Sequence, residues 1–584
     1  MRPPAPRIVR VNGSLVEVEP AGGVALYELA GVGRGGLLGE VIRLSGATAT
    51  LQVYEDTGGL AVGEPLALSG QTLSVRLGPG LLGSILDGLG RPLDVLVQRS
   101  GDFIGLGATV PTLDPEKRWR FQPTLSPGTE VSAGDVLGTV EERPGFLHRI
   151  LLPPGTRGTV AELAAGEYTV EAPVGRLMDG TPLRLSHPWG VRTPRPTRAR
   201  LSDDRPLVTG QRIFDLLFPV AEGGTVAVVG GFGTGKTVVE QSLAKHADAE
   251  VVVYIGCGER GNEMSEVLGE FARLTDPRTG RSLLDRTVMV VNTSNMPVAA
   301  REASVYLGMT LAEYYRDMGY RVALMADSLS RWAEALREIG ARLQEVPGEE
   351  GYPTYLASRL GAFYERAGRA RLLGEPEREG AVTLISAVSP PGGDLSEPVS
   401  QATLRVAGSL WALDADLAHQ RQFPAVDWET SYSLYVERTR AWFEREVDPS
   451  WSKVRAQTLE LLQRDAELRE IAGLVGPEAL QDEDRLVLLL ARMVREVVLG
   501  QSAYHPHDAH SAPAKTFHLA ELPQRARTLA AAGIRAGAPL GGLDFTPLRR
   551  ALIALRDSPP AELAARVSAA EAALAGLRPR ETVP

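Results

Sequence analysis

The sequence predicts a multidomain chain: an N-terminal β-barrel, an inserted β-rich domain, a central α/β domain built around a phosphate loop, and a C-terminal α-helical bundle. Three observations predict it. The 584 residues exceed what one hydrophobic core holds, so several domains are expected. Hydrophobic periodicity changes along the chain: alternating to about residue 190, near-continuous in strand-length runs from about 210 to 425, and spaced by three and four residues after about 430. The stretch GGFGTGKT, residues 230–237, lies between an apolar run and a helical segment.

Residues 1–70 alternate apolar and polar residues between Gly-rich turns, as in RIVRVNGSLVEVEP, which predicts short strands closing into a small barrel. Residues 71–109, with LGPGLLGSILDGLGRPLD, read as a connecting segment of loop and short turns. In 110–190 valines recur beside turn signals without a helical period, predicting a second β domain inserted before the phosphate loop. A Pro/Arg linker then leads into 191–430, where TVAVV (225–229), VVVYI (251–255), TVMVV (287–291), VALMA (322–326) and VTLISAV (382–388) alternate with helical segments. Such runs belong in a parallel sheet covered on both faces. Residues 431–584 carry helical spacing, as in DEDRLVLLLARMVREVVLG.

The formal net charge of -10 argues against a nucleic-acid partner, which calls for a basic face. A single cysteine, Cys257, cannot form an internal disulfide and fits a reducing compartment. The N-terminus has no apolar run of signal-peptide length, and VVVYI and LVLLLA fall far short of the ~20 residues that span a bilayer. A membrane is therefore expected to be reached through partners.

GGFGTGKT fits G-x-x-x-x-G-K-[ST] in the strand–loop–helix context the motif requires. Gly230, Gly231, Phe232, Gly233, Thr234 and Gly235 form the loop whose amides cradle phosphate, Lys236 reaches the terminal phosphates, Thr237 offers its hydroxyl to Mg²⁺, and Val238 continues into the helix. Lys236 is one of only five lysines among 62 basic residues. A compact ammonium fits between phosphates where a planar guanidinium does not, which explains a lysine in a chain that otherwise uses arginine. A Gly-rich turn with an incidental lysine is the plainer alternative.

Asp327 ends the strand RVALMAD, at the sheet edge where ligands bind in open α/β folds. It is a candidate for holding Mg²⁺ through water, or else a cap for the helix that follows. Glu259 and Arg260 follow VVVYIGC in a Gly-flanked turn. A carboxylate there can orient an attacking water and an arginine can neutralise developing charge; an ordinary surface ion pair stays open as the alternative.

The stretches GCGERGNEM, TSNMPVAAREASVYLGMTLAEYYRDMGY, ALMADSLSRWAEALREI, VPGEEGYPTYLASRLGAFYERAGR, SPPGGDLSEPVSQATLR and FPAVDWETSYSLY resemble the catalytic A subunit of vacuolar/archaeal-type rotary ATPases, from LGPGLLGSILDG to about residue 500. The resemblance implies a RecA-like P-loop domain and identifies 110–190 as the insert typical of A subunits. It implies that Lys236 and Thr237 bind phosphate and Mg²⁺, that Glu259 is the catalytic carboxylate, that Arg260 contacts the γ-phosphate region and that Asp327 is the Walker B aspartate. It places Phe423 against the adenine, with Tyr504 closing the other side. Gly231 stands where the family usually has proline, and Leu329 where it commonly has threonine; neither change removes a catalytic group. The implied partners are a noncatalytic B subunit in an alternating three-plus-three hexamer, central shaft and peripheral stalk subunits and, indirectly, a membrane rotor sector, with no nucleic acid. The implied location is the cytoplasmic face of a membrane, as a peripheral part of the complex.

Two other readings compete. A homohexameric ATPase of the secretion or helicase kind shares the core, but the insert and the acidic charge argue against it. A nucleotide-binding subunit without turnover is opposed by the joint presence of Lys236, Glu259 and Asp327. His505, His507 and His510 fall in one Pro-containing stretch, read as a solvated loop with a metal site as the alternative.

Overall fold

The computed structural model describes residues 5–101, 107 and 110–577. Residues 1–4 of the expected barrel, 102–106, 108 and 109 of the connecting segment and 578–584 of the helical region lie outside the described residues.

Strands β1 (Arg7–Asn12), β2 (Leu15–Glu19), β3 (Glu28–Val32), β4 (Leu37–Ser45), β5 (Thr48–Val53) and β6 (Leu66–Thr72) pair antiparallel in the order β1-β2-β5-β4-β3-β6. A bridge from Arg7 to Pro65 brings the last strand back to the first, and the register shifts at Ile8/Arg10, Glu28/Ala30 and Val41/Arg43 supply the bends that closure needs. Val16, Val18, Val32, Val41, Leu51 and Val53 fill the interior, the inward half of the alternation seen in the sequence.

The connecting segment holds more order than its turn-rich sequence predicts. It contains β7 (Ser74–Leu77), β8 (Ile85–Leu86) and α1 (Leu93–Ser100). The insert follows as β9 (Trp119–Pro123), β10 (Glu130–Val131), β11 (Val136–Arg143), β12 (Phe146–Leu151), β13 (Gly158–Leu163), β14 (Gly166–Tyr168), β15 (Pro173–Leu177), β16 (Pro182–Arg184) and β17 (His187–Gly190). It is built of two four-stranded antiparallel sheets, β10-β13-β15-β16 and β12-β11-β9-β14, with Phe121, Val140, Val160 and Val174 buried. β17 leaves the insert and pairs antiparallel with β7.

The remaining elements are β18 (Ala199–Arg200), α2 (Arg212–Leu217), β19 (Thr225–Val229), α3 (Lys236–His246), β20 (Val251–Cys257), α4 (Gly261–Arg273), β21 (Thr287–Asn292), α5 (Val298–Asp317), β22 (Arg321–Asp327), α6 (Leu329–Arg342), α7 (Leu356–Glu365), β23 (Gly368–Arg371), β24 (Glu379–Val388), α8 (Pro398–Leu404), β25 (Ser409–Ala412), α9 (Ala415–His419) and β26 (Tyr432–Ser433), then α10 (Val436–Glu446), α11 (Trp451–Val475), α12 (Asp482–Met493), α13 (Pro513–Arg535), α14 (Thr546–Arg556) and α15 (Leu563–Ala575).

The chain divides into two compact units. One comprises the residues to Ser202, Ala249–Pro390 and Asp394–Val406; the other comprises Asp203–Asp248, Pro391–Gly393 and the residues from Ala407. In the first, β24, β22, β20, β21 and β8 are neighbours in a parallel sheet, and β23 runs antiparallel to β24. Every residue of β20 is buried, as its unbroken apolar run requires of a strand covered on both faces. In the second, β19 pairs parallel with β25, and β26 pairs antiparallel with β25. There the C-terminal helices bury Leu461, Leu462, Leu486, Leu490, Leu519, Leu548 and Leu552.

Within the first unit the insert is fastened to α5 by a buried polar cluster. His148 on β12 sits 2.7 Å from Glu142 Oε2 through Nδ1 and 2.8 Å from the Tyr314 hydroxyl through Nε2. Glu142 also accepts the Gly80 and Leu82 amides. Burial pushes the Glu142 carboxyl up, but the His148 charge and hydrogen bond and these amides outweigh it, and its pKa lies below the ordinary carboxylate value.

Candidate active site

The phosphate loop runs from the end of β19 to the start of α3. Gly235 holds φ +90°, a left-handed conformation that a side chain strains, and so turns the chain directly into the helix at Lys236. The Lys236 ammonium donates to the carbonyls of Gly230 at 2.8 Å and Gly231 at 2.7 Å. Thr234, buried, donates to the Gly231 carbonyl at 2.9 Å and braces the loop from inside. Phe232 is 87% exposed, so the apolar residue at the loop's tip is not part of the core.

In the same unit a cavity of about 760 Å³ is lined by Val238, Phe423 and Tyr504 together with Gln501, Ser502 and Arg421. The structure thus brings Val238, Phe423 and Tyr504, widely separated in sequence, to one cavity. Phe423 and Tyr504 bring aromatic faces suited to a heterocyclic base. His505, His507 and His510 shape the loop that carries Tyr504: His505 Nδ1 accepts the amides of His507 and Asp508, and the His510 ring lies 5.7 Å from that of His246. Among the described residues no group of three or more His, Cys, Asp or Glu is arranged to hold a metal ion.

The carboxylates lie in the first unit. β20 and β22 are parallel neighbours in register, Gly256 opposite Asp327, so they end side by side and the residues after them meet. The Ser328 hydroxyl donates to Glu259 Oε1 at 3.1 Å, and the Tyr254 hydroxyl donates to Asp327 Oδ2 at 3.2 Å. The Asp327–Ser328 peptide is cis. Gly258 turns the chain at φ +73°, where a Cβ would meet Arg331 Cβ at 2.6 Å and Arg301 Cδ at 3.0 Å, so only glycine fits. Burial, the Asp327 charge and a hydrogen bond with Glu263 push the Glu259 carboxyl up to about 7, against the Arg331 charge and the Ser328 hydrogen bond.

Ser328 stands at the N-cap position of α6 and makes no side-chain cap hydrogen bond there. Arg260, largely exposed at the start of α4, lies 3.7 Å from Glu263. Cys257 is fully buried, and burial pushes its thiol up to about 12, so it stays protonated.

Sequence reasoning missed Tyr254, Ser328, Arg331 and Gln501. The first three had a usable signal: each stands within five residues of Glu259 or Asp327. Gln501 had none, because most of its contacts, with Gly210, Arg212 and Phe423, are made with residues far away in sequence.

Four family models match the chain in succession: the β-barrel domain of the ATP synthase alpha/beta family over residues 8–68, the ATP synthase alpha/beta subunit barrel-sandwich domain over 110–192, the nucleotide-binding domain of the ATP synthase alpha/beta family over 210–433, and the C-terminal domain of V and A type ATP synthase over 440–533. The V-type ATP synthase alpha chain of Anaeromyxobacter dehalogenans (strain 2CP-C) is 57% identical, across 97% of this chain and 98% of its own length. The A subunit of the A-type ATP synthase of Thermococcus sibiricus is 52% identical, across 95% of this chain and 96% of its own. Among solved structures, the assembled ATPase EscN of the enteropathogenic E. coli type III secretion system superposes with a TM-score of 0.63 at 21% identity, over 89% of this chain and 99% of that one, a likeness of fold alone.

Proposed function

The chain belongs to the ATP synthase alpha/beta family, in the branch of V-type alpha chains and A-type A subunits, and we propose that it is the catalytic subunit of a rotary ATPase in which Glu259 activates the water that attacks ATP. It hydrolyses or makes ATP within a multisubunit, ion-transporting complex. We place the active sites where it meets a noncatalytic B subunit in an alternating three-plus-three hexamer, with central shaft and peripheral stalk subunits and a membrane rotor sector completing the machine. We place the chain peripherally on the cytoplasmic face of the membrane; no helix among the described residues is long and apolar enough to cross one.

In this reading the amides from Gly230 to Gly235 and the N-terminus of α3 face the phosphates. Lys236 exchanges its two loop carbonyls for phosphate oxygens. The Thr237 hydroxyl and the Asp327 carboxylate are each a hard oxygen donor of the kind Mg²⁺ takes, and the Tyr254 hydrogen bond fixes the orientation of Asp327. When bound, Mg²⁺ neutralises charge on the phosphate oxygens. Glu259, held by Ser328, accepts the proton of the attacking water, and Arg260 neutralises charge that develops on the γ-phosphate. Phe423, Tyr504 and Val238 hold the base.

The observation that carries the catalytic assignment is the placement of the Glu259 carboxyl, oriented by the Ser328 hydroxyl at the ends of the neighbouring strands β20 and β22, where Asp327 also stands. The test is Glu259→Gln in the assembled complex. Hydrolysis should fall by about 10²–10⁴-fold with nucleotide binding retained. A rate within about twofold of the parent would overturn the assignment.

A further inference from the structure

The aromatic walls of the 760 Å³ cavity come from loops about eighty residues apart, and a buried polar cluster joins the two loops. The Gln501 amide donates to the Phe423 carbonyl at 2.7 Å, which ties the Tyr504 loop to the Phe423 loop. The Gln501 side chain accepts the Arg212 amide at 2.8 Å and donates to the carbonyls of Gly210 and Asp508, both at 2.8 Å. Asp508 accepts from Arg212 Nη1 at 2.6 Å with one oxygen and from the Ser502 amide at 2.7 Å with the other. Arg212, wholly buried, also donates to the Gly500 carbonyl at 2.7 Å and to the Val498 carbonyl. All these side-chain bonds of Arg212 end on residues 498–508, the approach to Tyr504 and the turn after it. The neighbouring Gln211 donates to Ala509 O at 3.0 Å and to Ser242 Oγ at 2.8 Å, and Ser242 lies on α3, the helix that begins at Lys236.

We propose that Arg212, Gln501 and Asp508 are positioning residues for the base of the nucleotide: they hold the Tyr504 loop against Phe423 and, through Gln211, fix that loop relative to the helix that carries the phosphate loop. None needs to touch the nucleotide. The inference rests on the assignment of Phe423 and Tyr504 to the base. A buried cluster serving stability alone would have no need to converge on one loop, and an apolar cluster of the same volume would stabilise as well or better. Bonds of fixed direction at both ends of the loop set a position, which a heterocycle gripped between two faces requires.

The test compares Asp508→Asn and Gln501→Glu with Phe423→Ala in the assembled complex. The asparagine cannot accept from Arg212 and Ser502 on both sides, and the glutamate cannot donate to Gly210 and Asp508. Each should raise KM for ATP about tenfold and leave kcat within about twofold. Inhibition by inorganic tripolyphosphate, which carries phosphates and no base, should not change. If Phe423→Ala raises KM while neither other variant does, the positioning role is wrong and the base assignment stands. If none of the three raises KM, the base assignment itself fails and the inference with it. If Asp508→Asn and Gln501→Glu weaken ATP and tripolyphosphate alike, or lower kcat in step, the cluster serves the fold generally and the inference is overturned.

Discussion

The Ser328 hydroxyl donates to Glu259 Oε1 at 3.1 Å, and Ser328 directly follows Asp327. The residue after one carboxylate therefore orients the other, because two parallel strands end side by side. Ser328→Ala should lower kcat for ATP hydrolysis by about tenfold with little change in KM, since the hydroxyl acts through Glu259. Steady-state kinetics of the assembled complex check this. A change confined to KM would contradict it.

Lys236→Arg keeps the charge and changes its shape. The compact ammonium donates to two loop carbonyls at 2.7 and 2.8 Å, a geometry a planar fork does not reproduce. The variant should fold with an unchanged circular dichroism spectrum and lose ATP hydrolysis by about 10²-fold or more.

Glu142→Ala should lower the stability of the chain by about 3–5 kcal/mol, because it leaves His148 without its carboxylate partner in a site closed to water. Urea unfolding checks this, and a double-mutant cycle with His148→Ala should return a coupling of more than about 1 kcal/mol.

His187 supplies a pH prediction. Burial, then the charges of Arg195 and Arg76, push its pKa down to about 3, and a neutral ring is what accepts from Arg195 Nη1 at 3.2 Å. The unfolded chain binds a proton near the ordinary histidine value of 6.5, while the fold refuses it until far lower pH. The contribution is therefore complete above pH 6.5 and is lost as pH falls toward 3, with a slope of up to about 1.4 kcal/mol per pH unit. His187→Gln, which keeps an acceptor for Arg195, should flatten that part of the stability profile.

The sequence made some of this plain and left the rest hidden, for physical reasons. The turn at 230–235 and the helix start at Lys236 were legible because both are local requirements of the glycine-rich stretch. The strands around it were legible because burial on both faces leaves an unbroken apolar run, as in Val251–Cys257. β8 was not: Ile85 and Leu86 stand between turn residues with no period of their own, and what makes them a strand is pairing with Met289 and Val290, some two hundred residues on. The plain helical spacing after 430 likewise gave no sign that α12 continues into a π-helical turn at Val494–Leu499, or that Pro523 lies inside α13. Arg212 was hidden for the opposite reason, since one arginine among many carries no signal until its partners in residues 498–508 are seen together.

The central claim, a catalytic subunit that works only beside a partner, is tested most directly by native mass and ATPase rate, measured for the purified chain by itself and again in the presence of a noncatalytic B subunit. The account predicts a nearly inactive chain that assembles with its partner into a hexamer of alternating subunits and then turns over ATP. A chain that forms a hexamer by itself and hydrolyses ATP briskly without the partner would contradict it.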